Sequence, residues 1–210
     1  MNQRAALENA VGPVSRETFE RLIEFERLFL RWNDRINLAA SSTLSDFWAR
    51  HVIDSAQLWR YGHDSHSWLD LGSGGGLPGI VIAILGAPNG LSMSLIESNN
   101  KKAAFLRSCT AELGIQVEIV VGRIEKIELS RVPDCVSARA LAALPTLFDL
   151  TAKWLPPGTR SKALLHKGRD FQKEINQARD EWDFDLVEHV SVVDAMSRVL
   201  EVSNVKRLER

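Results

Sequence analysis

The amino-acid sequence predicts an α/β fold: a mostly parallel sheet that ends in an antiparallel hairpin and is preceded by a helical extension. Three observations carry this. Trp68-Leu69-Asp70-Leu71 runs directly into Gly72-Ser73-Gly74-Gly75-Gly76-Leu77-Pro78-Gly79, a strand that passes through a glycine turn into a helix. From residue 67 onward, short apolar runs alternate with helical stretches, the pattern of a sheet covered on both faces. Near the C-terminus, 186–193 and 199–206 are β-rich runs about five residues apart, close enough to pair as a hairpin.

Taken in order, residues 15–36 place Phe19, Leu22, Phe25 or Ile23, Phe29 and Trp32 at three- and four-residue steps with Glu and Arg between them, the stripe of an amphipathic helix. A second helix is expected over 45–60, with Trp48, Val52, Ala56 and Trp59 on one face and Phe47, His51, Asp54 or Ser55, and Leu58 on another. Residues 1–64 thus read as an N-terminal helical cap on the same globular unit as residues 65–210. Strands are expected at 67–71, 91–96, 117–121, 135–138 and 162–166. Between them fall helices at 78–85, at 101–113 closed by Gly114, and at 145–154 closed by Pro156-Pro157-Gly158.

Bulk properties narrow the function classes. At 210 residues, 45% hydrophobic and 25% charged, the chain suits one soluble domain with an elaborated terminus. A net charge of -1 argues against a protein that coats nucleic acid without regard to sequence, although a local basic rim stays open. Cys109 and Cys135 show neither zinc spacing nor a disulfide framework, which fits a reducing cytosol and argues against a metal. The N-terminus lacks an apolar signal core, and the uncharged stretch 71–96 is broken by Gly and Pro, so no membrane segment is read. The expectation is a cytoplasmic monomer.

The glycine loop and the following acid point to an adenosine ligand. Glycine at 72, 74 and 76 lets the backbone approach a ligand closely, and free amides at the helix start favour an anionic group. Glu97 ends the second strand about 25 residues after Gly72, where a carboxylate accepts hydrogen bonds from ribose hydroxyls. A dehydrogenase loop wants glycine at its sixth position, and here that position is Leu77. Asp70-x-Gly-x-Gly-x-Gly instead resembles the first motif of the Rossmann-like class I methyltransferases, whose cofactor is S-adenosyl-L-methionine. Amino-group methyltransferases usually carry an Asp or Asn before Pro-Pro-Tyr at the tip of strand four; this chain has Ser137-Ala138-Arg139-Ala140. Carbon-5 methylation of a pyrimidine needs a thiolate, and Cys135 lies in an apolar strand while Cys109 lies mid-helix. An acceptor with an exposed lone pair, such as guanine N7, needs neither clamp nor thiolate. A small-molecule or other RNA acceptor, and an adenosine sensor without chemistry, stay open on these grounds.

The sequence resembles the bacterial glucose-inhibited division protein B family, also called ribosomal RNA small subunit methyltransferase G. The resemblance covers nearly the whole chain and rests on Trp32-Asn33, Asn37-Leu38, Arg50-His51-x-x-Asp54-Ser55, the loop from Gly72 to Gly79, Lys102, Phe105-Leu106-Arg107, Arg123-Ile124-Glu125, Arg139-Ala140 and Lys167-Gly168. It implies methyl transfer to N7 of a guanosine in the 530 loop of 16S rRNA, free or in an assembling 30S subunit. By position it implies that Gly72 and Leu77 line the methionine side of the cofactor, with Gly74 and Gly76 in the same loop. Glu97 would hold the ribose, Ile124 and Glu125 the adenine, and Arg139 the reaction end, as both cofactor contact and catalytic residue. Members usually carry Ser before that arginine, whereas this chain has Ala138. Arg50, His51, Arg123 and Lys167 are the candidate RNA contacts. Lys101, Lys102 and Arg107 read as a solvated face, and Trp32, Trp48 and Trp59 as packing residues.

Overall fold

The computed structural model describes residues 2–209. Seven strands, β1 (Ser67–Leu71), β2 (Ser92–Glu97), β3 (Glu118–Val121), β4 (Cys135–Arg139), β5 (Lys162–Lys167), β6 (Trp182–Val190) and β7 (Arg198–Arg207), form one sheet. Their order is β3-β2-β1-β4-β5-β7-β6. β1 to β5 pair in parallel, and β7 runs antiparallel to both β5 and β6. Chain direction across the sheet reverses between β1 and β4, so a crevice opens at their C-terminal ends, the place where open α/β sheets receive ligands.

β1, β4 and β5 are buried almost throughout because helices cover both faces, which is why they read as continuous apolar runs instead of alternating ones. Within β1 the alternation persists as a choice of core: Trp68 packs on one face, Leu69 and Leu71 on the other. Six helices accompany the sheet: α1 (Gln3–Val11), α2 (Arg16–Asn33), α3 (Gly79–Gly86), α4 (Asn100–Leu113), α5 (Leu144–Thr151) and α6 (Phe171–Arg179). Ser15 caps α2 by accepting from the Thr18 amide at 3.0 Å, and Gly114 closes α4 with a left-handed φ of 61°.

Three features depart from the sequence-based expectation. α1 and α6 lie outside that expectation, because each is only nine residues long and buries just two of them, Leu7 with Ala10 and Ile175 with Ala178, too short a stretch for the helical period to stand out. β6 begins at Trp182, ahead of the expected 186, because Trp182 and Phe184 alternate inward against Phe148. The expected helix over 45–60 is instead a broken helical segment: a 3-10 turn at Ser41–Asp46, a wide π turn at Trp48–Ile53, then short α turns at Asp54–Ala56 and Trp59–Gly62. In the π turn the Asp54 amide donates to the carbonyls of Ala49 and His51, passing over that of Arg50.

The cap shares its core with the sheet. Leu22, Phe25, Phe29, Phe47 and Val52 pack in one apolar layer with Ile80, Phe105, Trp68 and Leu95. The opposite layer gathers Leu69, Leu71, Val136, Phe148, Trp154, Leu165 and Leu200. Burial of side chains this size stabilises by roughly 1.5–3 kcal/mol each, so the cap is bound to the sheet by the hydrophobic effect rather than by the exposed Arg31–Glu112 ion pair at 2.9 Å.

Candidate active site

The chain leaves β1 through the glycine loop, where Gly72, Gly74 and Gly76 all adopt positive φ (62°, 55° and 78°). At Gly74 the left-handed backbone, which glycine adopts without strain, goes with an amide that donates to Glu97 Oε2 at 2.8 Å, and the space a Cβ would occupy holds nothing nearer than the Gly72 carbonyl at 3.6 Å and Lys102 Nζ at 4.0 Å. Glu97, the last residue of β2, uses its other oxygen to accept from the Asn99 amide at 2.6 Å. The backbone seals the same junction, Ser73 N donating to the Ile96 carbonyl at 3.0 Å and Gly122 N to that of Glu97 at 3.1 Å. The glycine loop and the strand-two carboxylate therefore touch. Leu77 is buried at the end of the loop; past β3, Ile124 is buried and Arg123 and Glu125 are exposed at a 3-10 turn, Ile124–Lys126.

A buried polar chain ties β1 to β4 beneath the loop. Trp68 Nε1 donates to Ser137 Oγ at 2.9 Å, and Ser137 Oγ donates to Asp70 Oδ1 at 2.6 Å. Asp70 is fully buried, and desolvation pushes its carboxyl up to about 6 against the opposing hydrogen bonds of Ser137 and Ser73.

Arg139 ends β4, next to Ala140, which holds a left-handed φ of 51°. Such a conformation costs a non-glycine residue of order 1 kcal/mol or more and clusters at functional sites. The Arg139 guanidinium turns toward the cap. Its Nη1 donates to the Arg50 carbonyl and to Asp54 Oδ2, each at 3.1 Å, and its Nη2 lies 3.1 Å from His51 Nδ1. Asp54 is anchored in turn: Gln57 Nε2 donates to Oδ1 and to its carbonyl, both at 2.9 Å, and His166 Nε2 on β5 donates to that carbonyl at 2.7 Å. Beside this cluster opens a cavity of about 220 Å³, lined by Asp54, Arg139, Ala140, His166, Gly168 and Ser197 among others.

Two of the expected RNA contacts require correction. Lys167 is buried, its side chain only 5% exposed, with Nζ donating to Glu174 Oε2 and to the Ala142 carbonyl, each at 2.7 Å. A buried ammonium so paired fastens α6 to the start of α5 and is not available to a phosphate. His51 is also buried, packed on Phe29 and Phe47, with both ring nitrogens engaged. Arg50 and Arg123 do lie exposed. Asp54, Gln57, Thr43 and His166 are site residues that the sequence reading did not single out for a role; the three-residue spacing of His51 and Asp54 was the available signal.

Burial pushes the Cys109 thiol up to about 12 and the Cys135 thiol well above its ordinary value, so neither supplies a thiolate. Among the described residues no cluster of three or more His, Cys, Asp or Glu is arranged to hold a metal, and no helix is long and apolar enough to cross a membrane.

Comparison with known proteins places this geometry. The family model GidB, described as rRNA small subunit methyltransferase G, matches residues 18–202. Proteins named ribosomal RNA small subunit methyltransferase G from Brucella canis and Brucella anthropi are 49% and 50% identical over 204 residues, 96% of this chain and 95% of each relative. Among solved structures, a methyltransferase of Podospora anserina bound to SAH superposes with a TM-score of 0.65 at 11% identity, covering 95% of this chain and 92% of that one, a likeness of fold.

Proposed function

The chain belongs to the rRNA small subunit methyltransferase G family, and from that premise we propose that it transfers the methyl group of S-adenosyl-L-methionine to N7 of a guanosine in the 530 loop of 16S rRNA. The observation that carries the reading is the convergence of the Gly74 amide on Glu97 with Arg139 at the adjacent strand tip. The enzyme is a class I methyltransferase in fold, and its partner is 16S rRNA, free or in an assembling 30S particle. It works as a monomer in the cytoplasm.

The residues present fit the cofactor. Gly74 leaves open space beside an ammonium, that of Lys102, and Glu97 keeps acceptor capacity beyond its two backbone partners for vicinal hydroxyls. Gly72 and Leu77 would border the methionine end, Glu97 the ribose, Ile124 and Glu125 the adenine. When bound, S-adenosylmethionine would supply an electrophilic methyl on a sulfonium, which the N7 lone pair would accept while the C–S bonding pair would stay with sulfur and the positive charge would pass to the guanosine.

Guanine N7 needs no base, so the side chains have to align, not abstract. Arg139 fixes the reaction end, and the cavity beside it admits a base taken out of its stack. The absence of an Asp-Pro-Pro or Asn-Pro-Pro clamp at the β4 tip, and the two protonated cysteines, both favour this acceptor over an amino nitrogen or a pyrimidine carbon. Arg50 and Arg123, both exposed, supply charge for phosphates. Nucleotide-resolution mass spectrometry of 16S rRNA, from cells with and without the protein, checks the assignment: a methyl mark on a 530-loop guanosine present only with the protein supports it. No incorporation into 30S particles or naked rRNA by the purified enzyme defeats it.

A further inference from the structure

We propose that His51 and Asp54 are positioning residues for Arg139, and that the cap sets the direction of the strand-tip guanidinium only while His51 is a neutral imidazole with its proton on Nε2. This rests on the functional reading above in so far as it concerns turnover.

The tautomer follows from proton bookkeeping around one hydroxyl. Thr43 Oγ1 donates its single proton to the Ala40 carbonyl at 2.7 Å, so toward His51 Nε2, 2.9 Å away, the oxygen can only accept. Nε2 therefore carries the hydrogen. A neutral ring protonated there has a bare Nδ1, an acceptor, and the group facing it at 3.1 Å is Arg139 Nη2, which can only donate. Asp54 takes the second nitrogen of the same guanidinium through Oδ2, and the Arg50 carbonyl takes it as well. That carbonyl is the one the π turn leaves out of the bond an α-helix would give to the Asp54 amide. Among the described residues every acceptor holding Arg139 thus comes from Arg50, His51 and Asp54, and the irregular turn is what brings them to bear together.

Protonation of His51 would reverse the arrangement, placing an N–H against an N–H and a cation against a cation. The groups that face the ring are Arg139 from β4, Asp54, Arg50 and Asp46 from its own segment, with Phe29 from α2 and Phe47 closing off water. Burial first, then Arg139, brings the ring's pKa down to about 4 against the opposing pull of Asp54. His51 is accordingly neutral at neutral pH. The stability it lends is complete above the ordinary value of 6.5 and is lost as pH falls from there toward about 4, where the unfolded chain takes up a proton that the folded one refuses.

The two amide replacements of histidine separate the roles. Asn places an oxygen near Nδ1 and can still accept from Arg139; Gln places its amide near Nε2, reaching Thr43 but not Arg139. We expect His51→Gln to lower kcat about tenfold to a hundredfold, the scale of a misplaced catalytic group, with cofactor Kd unchanged. His51→Asn should restore most of the kcat. Equal loss in both, with thermal midpoints near wild type, overturns the acceptor role, as does wild-type kcat in both. Nitrogen-15 NMR of the His51 ring should give a protonated Nε2 and bare Nδ1 from pH 8 to pH 5; the opposite tautomer overturns the proposal even if no methyl transfer to rRNA is ever seen. A wild-type enzyme that methylates neither 30S nor rRNA, yet gives that NMR signature, would sink the functional reading and leave the positioning intact.

Discussion

The glycine loop and the tip of β4 lie side by side at the crevice, yet they are assembled differently. The loop is held from nearby: its amides meet the ends of β2, and Glu97 closes the contact from 23 residues away. Arg139 is held from afar, by groups 85 to 89 residues earlier in the chain, on an irregular segment of a different layer. The first arrangement needs small residues and backbone; the second needs three elements to dock correctly before a single side chain is aimed. Cofactor contact should therefore survive disturbances of the cap that abolish transfer.

Mutations can break or sharpen that contrast. Arg139→Ala should have the largest effect, a fall in kcat on the order of a hundredfold in a methyl-transfer assay. Its thermal midpoint should fall too, since the side chain is only 18% exposed and its removal leaves Asp54, the Arg50 carbonyl and His51 Nδ1 without their donor, a loss of about 1–3 kcal/mol. If turnover is unchanged, the distant half of the contrast has no chemical meaning. Glu97→Ala comes next: losing a carboxylate acceptor costs about 1.5–3 kcal/mol, so isothermal titration should give a cofactor Kd roughly ten- to a hundredfold weaker. An unchanged Kd would detach the loop from the ligand altogether. Gly75→Ala tests the junction of the two regions. Its Cβ would sit 2.5 Å from Phe29 and 3.3 Å from Leu38, so urea denaturation should reveal a loss of about 1–3 kcal/mol as cap and loop are forced apart. Arg31→Ala, which removes only the exposed pair with Glu112, should cost less than about 1 kcal/mol by the same measurement. A larger loss would mean that charge, not the apolar layer, joins cap to sheet.

The same contrast explains what the sequence disclosed. β1 to β5 lie within two residues of their expected bounds because buried parallel strands are contiguous apolar runs, and the glycine loop announces its turn by composition. Residues 45–60 read as one helix because apolar spacing does not register a wide turn that exists to meet a tertiary partner. Lys167 was misread for a related reason: its partner Glu174 lies on α6, whose short apolar stripe hid the helix and with it the ion pair. His51 carried the right spacing to Asp54, but a polar residue's burial depends on Phe29 and Phe47, which no local pattern joins to it.

Arg139's dependence on residues 50 to 54 bears on how such an enzyme can be recombined. A chimera that transplants the sheet from a homologue while keeping this N-terminal segment would inherit an arginine and a cradle that matured separately. Domain shuffling at residue 64 should therefore yield proteins that capture the cofactor but stay silent on RNA, whereas exchanging residues 41–62 together with β4 and β5, which carries the His166 that anchors Asp54, moves the functional module whole.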